Sequence, residues 1–254
     1  MPPLVLHMAF ARQLQDVVHS RLIEAHAGAF ILGATTPDIR VLTRWEREQT
    51  HFFDFDVYEH QDSVARFLAE RPELADAGRV APQTAAFVAG YATHLVLDQR
   101  WIDEIYRVFF GERSPLGGGA QAKVLDRLLA YELDRRERED RSLMKALEEA
   151  LVDAEVGVDC GFIDGETLTR WRALAAEQTT YPADYERVRH YASRFLSAWN
   201  VDVDVPEEFG EFLRRVPQLV EAAAQHVTPE RVNAFLECTH TEARSVIERY
   251  LACG

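Results

Sequence analysis

The stretch Gly90-Tyr91-Ala92-Thr93-His94-Leu95-Val96-Leu97-Asp98 constrains this chain most. It lies in a run from Pro82 to Phe110 that is apolar on nearly every face up to Leu97, the pattern of a helix buried in a bundle. His94 and Asp98 are four residues apart and so share one face of that helix. A charged Asp buried beside an imidazole is costly unless something compensates it. A divalent metal is one such compensation, because His nitrogen and Asp oxygen are ordinary ligands for it. Further donors of the same kind occur in apolar settings. His7 sits in Leu4-Val5-Leu6-His7-Met8-Ala9-Phe10, Asp38 follows Gly33-Ala34-Thr35-Thr36-Pro37, and His51 lies in Gln49-Thr50-His51-Phe52-Phe53.

The early His, the Gly-x-x-x-Pro-Asp turn ending at Asp38, the Thr-His-Phe at His51 and the Gly-x-x-x-His-x-x-x-Asp helix occur in an order that resembles the zinc-dependent phospholipase C family, whose fold is shared by S1/P1 nucleases. The motifs occupy residues 1–111. The resemblance implies an all-α fold and Zn2+, with another divalent transition metal able to use the same donors. It also implies hydrolysis of a small phosphoester or phospholipid. Asp38, His51, His94 and Asp98 would surround one metal, and His7 with a bridging Asp98 would serve a neighbouring one. Asp38 would double as general base. Two cations about 3.5–4 Å apart can clamp the attacking and leaving oxygens of a phosphoryl displacement.

The chain departs from the family where members carry a further histidine soon after the His-x-x-x-Asp pair. Asp103 and Glu104 stand there, and no histidine lies between His94 and His190. This favours one Zn2+ over two, with Glu104 as a substitute ligand and His190 and His240 as weaker candidates. Arg40 and Arg44 are the expected contacts to substrate phosphate. Arg47 and Arg100 also lie near the proposed ligands in sequence and could add to a positive pocket mouth.

Each residue also has a plainer reading. His94 could be a core histidine bonded to a carbonyl, and Asp98 could pair with Arg100 or Arg44. Asp38 could cap the next helix, His51 could sit in a surface loop, and His7 could face solvent. His19, His26, His60 and His226 read as structural or exposed. Trp45 and Trp101 read as core rather than substrate platforms.

The periodicity predicts helices almost throughout. The first runs from Leu4 to Ala25. A short one through Phe30-Ile31-Leu32 stops at Gly33. Arg40 to Phe55 reads as irregular, and Gln61 to Leu68 as helical. After the glycine loop 117–119 come Ala122–Leu133 and Ser142–Leu151, separated by the charge run 134–140, read as a solvated helix surface. Asp164 caps a helix through Trp171, and Pro182 or Asp184 starts one through Phe195 and Trp199. Val201 to Val205 reads as a linker, Pro217 as a kink, and Thr228-Pro229-Glu230 as a helix start. The expectation is an all-α domain over residues 1–254 with eight to ten helices, its motifs in 1–111 and a helical C-terminal part in 119–254.

The net charge of −14 argues against a nucleic-acid surface and against adsorption to anionic membranes. No uncharged apolar run reaches about 18 residues, so no membrane insertion is expected. Met1-Pro2-Pro3 lacks the basic start of a secretory signal, and Cys160, Cys238 and Cys253 form no framework. Both point to a cytoplasmic protein with reduced thiols. Two other functions fit the same residues: a non-hydrolytic metal-binding helical protein, and a metal-free interaction module. An HD-type phosphohydrolase ranks lower because its adjacent His-Asp pair is absent, and an S1/P1-like nuclease because of the acidity and missing signal.

Overall fold

A computed structural model describes residues 2–154, 157–190 and 196–252. Among them are twelve α-helices and no strand, so the protein is all-α. They are α1 Leu4–Val18, α2 Arg21–Ala25, α3 Ala27–Thr35, α4 Arg40–Thr43, α5 Glu48–His51, α6 Ser63–Glu70, α7 Pro82–Arg100, α8 Ala120–Glu139, α9 Arg141–Val152, α10 Gly165–Thr180, α11 Pro206–Val227 and α12 Pro229–Ala252. Among the described residues no helix is long and apolar enough to cross a membrane.

The count exceeds expectation because short helices form where none was read. The predicted helix from Leu4 to Ala25 is two helices, since His19 has a left-handed φ of 49° and Ser20 caps α2 by accepting from the Ile23 amide. The segment Arg40 to Phe55, expected to be irregular, holds α4 and α5 after a 3-10 turn at Thr36–Ile39. The predicted helix from Pro182 or Asp184 lies partly outside the described residues. Of it, 183–187 form bends and turns, 188–190 are helical, and Ser197–Trp199 make a 3-10 turn. Pro217 lies inside α11, which continues past it.

The helices fall into two compact units, each assembled from separated segments. One comprises residues 1–3, 100–139 and 182–237. Its core joins Val124, Leu128 and Tyr131 of α8 to Phe209, Phe212 and Val216 of α11. Trp101 is fully buried there, as expected, and its indole N–H donates to Asp126 Oδ1 at 2.9 Å. Trp101 also begins a π-helical segment through Phe110 that ends at Gly111. The charge run 134–140 corrects the solvated-surface reading. Asp134 and Arg138 are fully buried, because their i,i+4 spacing brings Arg138 Nε to 2.6 Å from Asp134 Oδ2 and the pair neutralises itself.

The other unit comprises residues 4–99, 140–181 and 238–254. In it α1 and α9 pack on α3, and α10 packs on α9. Every residue of α7 from Thr84 to Asp98 is buried, which its lack of a polar face requires. Gly33 does not stop the helix as the sequence reading held; α3 runs through it to Thr35. Its role is close approach. A Cβ on Gly33 would lie 2.0 Å from the Phe87 carbonyl oxygen, and one on Gly90 would lie 1.9 Å from that of Phe30. The two motif glycines therefore let α3 and α7 cross backbone against backbone.

Candidate metal centre

The Gly33–Gly90 crossing sets the depth at which α7 presents its histidine. One turn beyond it, His94 Nδ1 lies 2.9 Å from the Ala34 carbonyl oxygen. A carbonyl only accepts, so Nδ1 carries the ring proton and Nε2 is left with a lone pair. Burial first, and then the positive field of His7, lowers the His94 pKa to about 3, so the ring is neutral at physiological pH. The plain reading of a carbonyl-bonded core histidine is thus correct for one nitrogen of His94 and leaves the other available.

His51 reaches the same place from α5. It is buried in a helical turn rather than exposed in a surface loop. Phe52 follows it with a left-handed φ of 52° and turns the chain, its ring buried against Phe67 and Tyr91. The Thr50 hydroxyl donates to the Arg47 carbonyl at 3.3 Å and lies 2.9 Å from His51 Nδ1. With its proton committed, the Thr50 oxygen accepts from Nδ1–H, and the His51 lone pair is on Nε2. Tyr91 of α7 holds this turn by donating from its hydroxyl to the Thr50 carbonyl at 2.5 Å.

The remaining donors converge on these two nitrogens. His51 Nε2 is 3.4 Å from His94 Nε2, 3.5 Å from Asp38 Oδ1 and 3.4 Å from Asp98 Oδ2. His94 Nε2 is 3.9 Å from Asp98 Oδ2. His7, in α1, is buried rather than solvent-facing; it stacks on His94 with centroids 3.7 Å apart, and its Nε2 lies 3.4 Å from Asp98 Oδ1. Asp38 sits in the 3-10 turn after Pro37 with its side chain 26% exposed, so it is the open side of a cluster whose other members are at most 4% exposed. Two triads with mutually close donor atoms result, His7–His94–Asp98 and Asp38–His51–His94.

This donor set fits a divalent cation. Two imidazoles whose Nδ1–H groups are both engaged bring their Nε2 lone pairs together at 3.4 Å, an arrangement that a cation between them stabilises. Neither nitrogen of His7 has a hydrogen-bond partner, nor does Asp98 Oδ1, and all three atoms are buried. Burial pushes both carboxyls up. Interactions with His51 and His94 at Asp38, and with His51, His7 and the Arg47 guanidinium at Asp98, outweigh this, so both stay below the usual carboxylate range and are anionic.

The other expected residues are not members of these two triads. Glu104 pairs with Arg100 and is 43% exposed. Arg40 donates from Nε to the Trp45 carbonyl, and Arg44 is exposed at the left-handed end of α4. His190 is exposed, and His240 bonds Gln13. Asp98 does have an arginine partner, but it is Arg47 rather than Arg44 or Arg100, with Nη2 2.7 Å from Oδ2. The reading of single motifs missed Thr50, Tyr91 and the Ala34 carbonyl. Thr50 and Tyr91 lie inside the motifs, whereas a backbone carbonyl has no signal in a sequence.

Residues 6–101, which carry all five clustered donors, match the family model of zinc dependent phospholipase C. The match covers 96 of the 254 residues and is a similarity of this segment to that family. Comparison with curated proteins and with solved structures gave no match. The matched segment ends near the start of the π-helical stretch, and the compact unit around its donors also includes α9, α10 and residues 238–252 of α12. The buried His/Asp cluster is compatible with Zn2+.

Outer partners of ligating histidines typically carry about 10–100-fold in metal affinity. Thr50→Val removes the acceptor of His51 Nδ1 while keeping the branched shape. It is expected to weaken Zn2+ binding by about that factor, and Thr50→Ser to retain it, in competition titrations with a chromophoric chelator.

Proposed function

We propose that this protein is a metal-dependent hydrolase of a phosphoester, with a phospholipid or a small phosphodiester as substrate. The observation that carries the reading is the approach of His51 Nε2 and His94 Nε2 to 3.4 Å with both Nδ1 protons engaged, at the rim of which stands a partly exposed carboxylate. His7, Asp38, His51, His94 and Asp98 would hold the cation, one Zn2+ in our reading. When bound, such an ion polarises a phosphoryl oxygen and acidifies water.

The chain's own residues do the rest. Asp38, anionic and on the open side, would take a proton from the attacking water. Helices α1, α3 and α7 surround the donors with apolar side chains, which keep bulk water out and strengthen every charge interaction inside. Arg40 and Arg44 lie within the six residues that follow Asp38, and we assign them to the phosphate of the incoming substrate. The free thiols Cys160 and Cys238 suit a reducing cytoplasmic setting, and the acidity of the chain disfavours nucleic acid as a partner.

The test is hydrolysis of phosphodiester and phospholipid substrates by protein loaded with Zn2+. Activity is expected to disappear on chelation and return with metal. If chelation lowers the melting temperature but a broad phosphoester panel is never cleaved, the protein is a non-hydrolytic metal binder. If purified protein takes up no metal at all, the cluster is structural and the chain an interaction module.

A further inference from the structure

Arg47 has a role that neither the motifs nor the family match assigns. Its side chain is 16% exposed, and its Nη2 donates to Asp98 Oδ2 at 2.7 Å. Its Nε and Nη1 are buried and have no hydrogen-bond partner. Its backbone carbonyl anchors the α5 turn, accepting from the Thr50 hydroxyl and, at 2.8 Å, from the His51 amide. Arg47 thus stands between two candidate donors, His51 and Asp98, and keeps a permanent positive charge beside them.

We propose that Arg47 is a positioning residue that occupies one carboxylate oxygen of Asp98, weakens the hold on the first divalent cation, and leaves the loaded site net positive so that it takes an anionic phosphoryl group. This rests on the metal-centre reading above. The charge balance makes the argument. Asp38 and Asp98 contribute two negative charges and Arg47 one positive charge. Imidazoles donating lone pairs are neutral. One divalent ion brings that set to a single positive charge; without Arg47 the same set would be neutral and its attraction for phosphate weaker. Oδ2, held by the guanidinium, is a weaker donor than Oδ1, which has no hydrogen-bond partner.

Asp98 stays in place without the arginine, because it projects from a helix buried along its whole inner length. Removing Arg47 should therefore act through charge rather than through collapse of the ligand. Arg47→Gln keeps an N–H donor near Oδ2 and loses the charge, whereas Arg47→Lys keeps the charge. Arg47→Gln is expected to bind Co2+, used as a spectroscopic probe, about tenfold more tightly than wild type. Its metal-loaded form is expected to bind inorganic phosphate about tenfold more weakly. Arg47→Lys should stay within about twofold of wild type in both titrations if charge sets the response. Circular dichroism establishes that each variant is folded, and a variant that is not is replaced by Arg47→Met in the same titrations. The inference is overturned if charge-removed protein binds Co2+ no more tightly than wild type, if phosphate affinity is unchanged, or if Arg47→Lys behaves as Arg47→Gln. Wild-type protein that takes up no Co2+ would instead sink the metal-centre reading itself, and this inference with it.

Discussion

Replacing His94 with alanine is expected to abolish metal binding while leaving the helical circular dichroism nearly unchanged. His94 is the member common to both donor triads, so its loss breaks each of them. Affinity should fall by more than about 100-fold, since even the outer partners of ligating histidines carry about 10–100-fold. Metal at a thousand times its Kd stabilises a folded protein by about 4 kcal/mol. Zn2+ should therefore raise the melting temperature of the wild type, and the variant should show no such rise. Without metal the variant still loses the donor to the buried Ala34 carbonyl, at a cost of about 1–3 kcal/mol. Calorimetry with and without Zn2+ separates the two effects. A variant that retains the metal-dependent rise would show that the cation does not sit on His94.

Gly90→Ala is expected to be the most destabilising single-methyl change in the unit that carries the site. The added Cβ would fall 1.9 Å from the Phe30 carbonyl oxygen and 3.0 Å from the Ala34 amide nitrogen, and these are backbone atoms that cannot swing aside as a side chain would. Overpacking ordinarily costs about 1–3 kcal/mol. Here α3 and α7 must separate, so about 4 kcal/mol or more is expected. Because the same crossing sets His94 against Ala34, metal affinity should fall with stability. Gly33→Ala should behave alike, its Cβ falling 2.0 Å from the Phe87 carbonyl oxygen. Gly165→Ala is the control: nothing lies within 4 Å of the added carbon, and its urea midpoint should stay close to wild type. If Gly90→Ala unfolds at the wild-type midpoint, the backbone-to-backbone crossing is not what joins the two helices.

Both experiments probe residues whose importance could be read in the chain, although one was read for the wrong reason. Gly33 followed by Pro37 looks like a helix stop, because glycine and proline are the usual terminators. In the fold Gly33 is interior to α3, and its missing side chain matters through space, against a helix more than fifty residues later. Local rules cannot see such a contact. The buried Asp134–Arg138 pair misleads in the same way, since a run of mixed charges normally marks a solvated face. The short helices α4 and α5 were illegible for a different reason. Four residues span scarcely more than one helical turn, too few for an apolar period to show.

The sequence by itself determined the fold class and the donors. The 3.6-residue apolar period requires helices, and the apolar flanks of His7, Asp38, His51, His94 and Asp98 require that each be satisfied inside the protein. Their motif spacing also marked residues 1–111 as phospholipase-like, and the family model matches residues 6–101. Only the tertiary structure decided which nitrogen of each imidazole is available and which arginine meets Asp98. Those outcomes depend on the Ala34 carbonyl, the Thr50 hydroxyl and the Arg47 guanidinium. Protons and lone pairs are allotted by hydrogen bonds a few ångströms long, and the partners in those bonds are chosen by how helices cross, not by distance along the chain.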